Sequence, residues 1–419
     1  MYSMLNIESE MPYYFDAKKL PKEYHQRYLA TQTMETLVHD EKNSISRNGI
    51  LKQGVKKDIY QWSYQPIEYL SELINPELII KAAAEHLYSL VKKPEYRWLT
   101  AIISRINYSR NFLNITTRFD LYDLDNILRD PSLSIHSIHQ KKLGDFSLKK
   151  EKKSILLLKN KKEIKYNFRL LETNSCKEGK NLFEKGLLDI CWGIGTPSSF
   201  FNESDTLFPH SGHLPLNYFI KAGSKLENNT WNSLVDFFSN LEISCVAINQ
   251  TSHRLSREKI SAAPFTTSFL FFADKALPLY YSDYPPNDEV AVEICSKSNG
   301  KLFPKKIPYE NIVMSNSKIQ DGVILSIQAP RHGGIVGNYP ELYFLSKNNL
   351  TSNKEYQKLL ETLFKQGATW YDDSAIFKIE KKINKEMRQH FIGQLKPRFR
   401  SKYTVPIDQL GLIKLSNIE

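Results

Sequence analysis

The sequence predicts an α/β fold in which strands and helices alternate, and three segments carry that expectation. Between Ala276 and Cys295 an apolar run, Leu277-Pro-Leu-Tyr-Tyr-Ser282, meets the turn Asp283-Tyr-Pro-Pro-Asn287 and then a helical pattern from Asp288. Two prolines fix φ at the turn, and Asn287 and Asp288 can accept hydrogen bonds from the N–H groups that open the helix. Asn75-Pro76-Glu77 places a capping residue before a proline at the first helical position, which predicts a helix to about Val91. A helix from Lys177 to Lys185 stops at Gly186, and the strand Leu187 to Trp192 follows. Strands separated by helices imply stacked layers around an apolar core.

The other elements follow in order. Met4 to Ile7 predicts a strand, and Tyr28, Leu29, Thr33, Met34 and Leu37 recur at helical spacing within a helix from Glu23 to Val38. Ile59 to Gln65 alternates as a strand. A second helix is expected from Tyr96 to Ile106, a strand from Phe112 to Phe119 and a short helix from Leu121 to Arg129. Lysines flank the apolar run Ile155-Leu-Leu-Leu158, which reads as a solvated hairpin, and Ile164 to Leu171 is another strand. Glu242 to Asn249 predicts a buried strand, and Ser256 opens a capped helix. Helices are expected at Glu355 to Gln366 and Ala375 to Phe391, with extended pieces from Tyr403 to Leu412.

With 419 residues, 41% of them hydrophobic, the chain can bury a large core distributed over two or three domains. The formal charge of +11 invites a nucleic-acid reading. The basic residues are spread out, however, and no nucleic-acid motif with fixed spacing is present, so that reading is set aside. Cys176, Cys191, Cys245 and Cys295 lie far apart without zinc spacing. The last three sit in apolar segments as small buried hydrophobes, so no disulfide framework is implied. The first ten residues lack a basic region, an apolar stretch and a small-residue cleavage site. No export signal is expected from them, and no run reaches the length of a membrane span.

Catalytic and metal chemistry finds little footing. Gly193-Ile-Gly195 lacks the third glycine of a dinucleotide turn, and Pro197 interrupts the helix such a turn needs. His210 and His213 do not have the spacing of a helical metal pair. No G-x-S-x-G turn is present, and Asp372-Asp373 reads as a helix cap. What remains is binding, which needs a concave site with a few placed polar groups.

Several segments in order resemble the family-5 extracellular solute-binding proteins, the peptide and nickel receptors of ABC importers. They are Met34-Glu-Thr-Leu-Val38, Tyr60-Gln-Trp-Ser-Tyr64 with the helix from Asn75, Gly144-Asp-Phe-Ser147 before Ile155 to Asn160, Leu182 to Ile190, Cys245-Val-Ala-Ile-Asn249, and Ser256 to Ile260. The family's F-x-D-G turn is absent and its G-T-G-P-Y motif is reduced to Gly144-Asp-Phe, which marks a divergent member. At Gly337-Asn-Tyr-Pro-Glu341, peptide receptors often carry an Asp that pairs the ligand's α-ammonium, and Asn338 stands there instead. Losing one partner of a buried charge pair costs about 3–5 kcal/mol. That is roughly two to three and a half decades in dissociation constant.

The resemblance implies a two-lobed periplasmic-binding-protein-like fold of type II with a ligand cleft between the lobes. Lobe one would comprise residues 1–250 with 391–419 returning to it, and lobe two residues 251–390, with a hinge near Asn249. It implies a monomer that binds a small or peptide-like ligand without catalysis, cofactor or metal, and an ABC transporter permease as partner. The expected lining residues are Tyr13, Tyr14 and Asp16 after the first strand, Trp192 as a flat apolar surface with one donor, and Arg331, Asn338 and Tyr339 from the second lobe. The family's location is the periplasm or cell envelope. The lack of an export signal leaves open a cytoplasmic alternative, the ligand-sensing domain of a transcription regulator with the same fold.

Overall fold

A computed structural model describes residues 4–9, 24–39, 49–93, 96, 98–121, 124–152, 154–173, 176–192, 216–243, 248–249, 275–282, 287–308, 319–328, 385, 388–395, 399–406 and 414–418. The first elements are β1 (Met4–Ser9), α1 (Tyr24–Thr33), β2 (Thr36–Val38) and β3 (Gly49–Leu51). The helix expected to reach Val38 stops at Thr33. Glu35 instead forms a bridge with Ile135, and β2 pairs in parallel with β3. Strand partners here satisfy the backbone that helical spacing alone would have assigned to a fourth turn.

A small body follows: β4 (Val55–Lys56), β5 (Gln61–Tyr64), α2 (Glu68–Ser71), α3 (Pro76–Lys92), α4 (Leu99–Ile102), β6 (Ile103–Tyr108), β7 (Leu113–Thr117), α5 (Leu124–Leu128), β8 (Ser137–Ile138) and β9 (Lys141–Lys142). Helix α3 begins as its sequence requires, with the Asn75 side chain accepting a hydrogen bond from the Glu77 N–H at 3.0 Å. Its buried stripe, Ile79, Ile80, Ala83, Ala84, Leu87 and Leu90, covers one helix face. The helix expected from Tyr96 to Ile106 is only Leu99–Ile102. Ile103 and Ile106 are buried while Ser104, Arg105, Asn107 and Tyr108 are exposed, and β6 pairs with β7 in a four-stranded sheet of order β4-β5-β7-β6. β-branched residues on a half-buried face favour the strand.

Next come β10 (Phe146–Lys150), β11 (Ser154–Lys159), β12 (Asn167–Glu172), α6 (Cys176–Glu184) and β13 (Ile190–Trp192). The lysine-flanked hairpin is β10 paired antiparallel with β11, and Lys149 and Lys150 stand exposed on the edge strand, where charge discourages pairing with another chain. Gly186 ends the α6 region at a φ of +73°, a conformation that favours glycine.

The remaining elements are β14 (Leu216–Ala222), α7 (Asn228–Ser239), β15 (Ile248–Asn249), β16 (Leu277–Ser282), α8 (Asn287–Lys297), β17 (Leu302–Ile307), β18 (Val323–Gln328), β19 (Gln389–Leu395) and β20 (Phe399–Ser401). The strand, turn and helix expected between Leu277 and Cys295 form as β16 and α8. Asn287 does not stand ahead of the helix as a cap, because it is the first residue of α8 and its buried amide bonds elsewhere. Gln389 to Phe391, expected to finish a helix, belongs to strand β19. Cys245 and residues 256–260, 355–366 and 375–384 lie outside the described residues.

Two six-stranded sheets organise the molecule, one in the order β10-β11-β12-β1-β13-β20 and the other β15-β19-β14-β18-β16-β17. The boundary expected near residue 250 cuts through the second sheet. Strand β14 is hydrogen-bonded along its length to β18 and β19, so the sheets divide between Trp192 and Leu216 instead. Asn249, beside which the hinge was expected, pairs with Gln394 inside the second sheet. Among the described strands the chain passes between sheets twice, after Trp192 and between Leu395 and Phe399. Buried residues of both large sheets, among them Ile7, Phe168, Ile190, Tyr218, Ile220 and Leu325, belong to one connected apolar cluster, and those of the small body form another.

Candidate functional site

Strand register locates the side of the sheets on which a ligand site can form. In the first sheet β12, β1 and β13 run parallel, so Glu172, Ser9 and Trp192 end at the same side, and Trp192 pairs with Phe399 where the chain returns. In the second sheet Asn217 pairs with Gln328 and Leu216 with Leu395, while β16 runs parallel to both β17 and β18. Ser282, Ile307 and Gln328 therefore end on the side where the chain enters and leaves. Both crossings join the carboxyl ends of the parallel strands, the side on which open α/β sheets hold ligands.

The expected lining residues map onto these ends by chain position. Trp192 is the last residue of β13. Tyr13, Tyr14 and Asp16 come after β1, and Arg331, Asn338 and Tyr339 come after β18; these six residues and the Trp192 side chain lie outside the described residues. The same is true of Gly193 to Gly195, His210, His213 and Asp372-Asp373.

Beneath the carboxyl ends each sheet carries a buried polar knot that sequence reasoning did not find. In the first, Glu8 is 1% exposed and accepts hydrogen bonds from the Thr173 hydroxyl at 3.0 Å and the Cys191 thiol at 2.8 Å. Helix α6 lies directly on this carboxylate at Gly179, where a Cβ would stand 1.6 Å from Glu8 Oε1. A glycine inside a helix costs about 1 kcal/mol relative to alanine, and here it makes room for the acid. The only sequence signal was an acidic residue directly after the apolar Ile7, together with a glycine within a helical pattern. Next to the knot, the Asn6 N–H donates to Asp189 Oδ2 at 2.8 Å, tying β1 to the entry of β13.

In the second sheet, the Tyr218 hydroxyl donates to Asn287 Oδ1 at 2.8 Å, and Asn287 Nδ2 donates to the Ser282 hydroxyl at 2.7 Å. All three residues are buried, so β14, the end of β16 and the start of α8 are locked together. Burial pushes the Cys295 thiol of α8 up to about 12, which leaves it a packed, unreactive group. Cys191 is equally buried but is a hydrogen-bond donor as well as a small hydrophobe.

No protein-family model matches the sequence, and comparison with curated proteins finds no match. Solved structures do match over the full length. The pheromone receptor PrgZ, described with its mode of peptide binding, superposes with a TM-score of 0.75 at 15% identity, covering 100% of this chain and 99% of that one. The Escherichia coli murein tripeptide binding protein MppA gives 0.72 at 12% identity, with 100% and 98% covered. NikA from Staphylococcus aureus, in complex with Ni(L-His)2, gives 0.61 at 12% identity, with 99% of each chain covered. The chain thus has the fold of the two-lobed solute-binding proteins, in agreement with the architecture expected from its segment order.

Proposed function

We propose that this chain is a receptor that captures a small solute, a peptide or a peptide-like molecule, between two lobes and delivers it to an ABC importer at the cell envelope. The observation that carries the reading is the convergence of strand ends. The parallel strands of both sheets terminate on the side joined by the two crossings, in a fold shared along its whole length with peptide receptors. Lobe one is built on the first sheet with the small body, and lobe two on the second sheet, with the division in residues 193–215 and the return at 396–398. Tyr13, Tyr14, Asp16 and Trp192 would line the cleft from the first lobe and Arg331, Asn338 and Tyr339 from the second. In this reading the crossings between the described sheets absorb a change in backbone angles on closure, since each sheet is locked internally at its carboxyl ends.

PrgZ is described as a receptor and MppA as a binding protein, which favours this reading over an intracellular sensor. In this reading the functional unit is a monomer, since both sheets belong to one chain. The test is a thermal-shift screen against short peptides of random sequence. A true ligand at one hundred times its dissociation constant should add about 2.7 kcal/mol of stability. Failure of every peptide pool to raise the melting temperature would remove the peptide assignment.

A further inference from the structure

We infer that Glu8 is a positioning residue for the cleft, acting through Cys191 on the backbone of Trp192 at the end of β13. Ile7 pairs with Ile190, so Glu8 and Cys191 are register neighbours on one face of the first sheet. The Cys191 thiol donates to Glu8 Oε2 at 2.8 Å and the Thr173 hydroxyl to Oε1 at 3.0 Å. One carboxylate therefore gathers the ends of three neighbouring strands, β12, β1 and β13.

The arrangement is closed to a ligand. Glu8 and Cys191 are 1% and 2% exposed, and the Gly179 backbone covers the carboxylate. A buried acid is expensive to keep, and an apolar residue of similar volume serves packing alone as well or better. What the acid adds is direction: its two oxygens accept from opposite sides and fix β12 and β13 relative to β1. Trp192 follows Cys191 in the same strand and is its last residue. Fixing Cys191 thus fixes the backbone root of the tryptophan. The consequence for ligand capture rests on the receptor reading, whereas the positioning itself does not.

The test uses the full chain labelled with fluorotryptophan and read by fluorine NMR without ligand, the Trp192 resonance being assigned with Trp192→Phe. Cys191→Ala removes the donor, Cys191→Val removes it while filling the space, and Cys191→Ser keeps it. Cys191→Ala and Cys191→Val should each displace or broaden the Trp192 line, Cys191→Ser should return it to the native position, and the Trp62 and Trp98 lines from the small body's core should stay fixed in all three. A Trp192 line indifferent to the presence of the donor overturns the inference, as does movement of all the lines together, which would mark a general loosening. Because no ligand enters the measurement, failure of the peptide screen and failure of this test are separate results.

Discussion

Lys414 and Asp145 form a buried ion pair, with the ammonium 3.1 Å from Oδ2 and side-chain exposures of 8% and 4%. Lys161 holds the other oxygen at 2.6 Å, and Glu35 lies 3.9 Å from the same lysine. The segment around Lys414 is further tied down by the Leu415 N–H, which donates to Gln32 Oε1 at 3.1 Å. Two acids and two lysines thus bind the late segment 414–418 to the body formed by α1, β2 and the β10–β11 hairpin.

Lys414→Met, which keeps most of the stem, should lower unfolding stability by about 1–3 kcal/mol, because it leaves Asp145 buried with one cation instead of two. Urea denaturation measures this directly. A loss below about 1 kcal/mol, the value of an exposed pair, would mean that the cluster is effectively solvated.

Glu35 gives the cluster a pH signature. Burial, against the pull of Lys414 and Lys161, raises its carboxyl to about 7 from an ordinary value of 4.5. The native state therefore holds this proton more tightly than the unfolded chain. Its contribution to stability is complete below pH 4.5 and is lost as the pH rises through about 7. Asp145 behaves oppositely: although burial pulls upward, the two ammonium groups hold it at about 2, so its contribution is present above 3.8 and lost as the pH falls through about 2. Stability measured from pH 4.5 to 7.5 should fall less steeply with rising pH in Glu35→Gln than in the native chain. Identical slopes would exclude Glu35 as the titrating group.

Gly179 and Gly186 make a matched pair of substitutions. Gly179→Ala improves helix propensity by about 1 kcal/mol yet should destabilise by ~1–3 kcal/mol net, since its methyl enters the Glu8 carboxylate. Gly186→Ala meets no neighbouring atom within 4 Å but must keep a φ of +73°. It should cost about 1–2 kcal/mol from backbone conformation alone. Thermal unfolding of both variants checks these losses, and a stabilised Gly179→Ala would contradict the packing of α6 on Glu8.

Much of this fold is legible in the sequence where local chemistry and tertiary structure agree. Asn75-Pro76 caps and starts α3, the lysines mark the edge hairpin, and the prolines after Ser282 separate β16 from α8. Legibility fails where pairing partners decide. Glu35 to Val38 and Ile103 to Ile106 fall at the ends of expected helices but find strands to pair with, and β14, β18 and β19 form a sheet from segments far apart in the chain. The strand end at Trp192, proposed to border the cleft, is visible in the sequence. The Glu8 knot is not, because its meaning depends on a thiol and a glycine brought to it by two other elements.

Asn338 bears on ligand choice. If it stands where peptide receptors place an acid, Asn338→Asp should tighten binding of free peptides by a factor on the order of 100 relative to their N-acetylated forms. Isothermal titration with each peptide pair measures the ratio. Equal gains for both forms would remove this residue from recognition of the amino terminus.

The most direct test of lobe closure is small-angle X-ray scattering with and without a peptide that raises the melting temperature. We predict a contraction of the scattering profile on binding as the two sheets approach about the crossings at 193–215 and 396–398. A profile unchanged at saturating peptide would contradict the account.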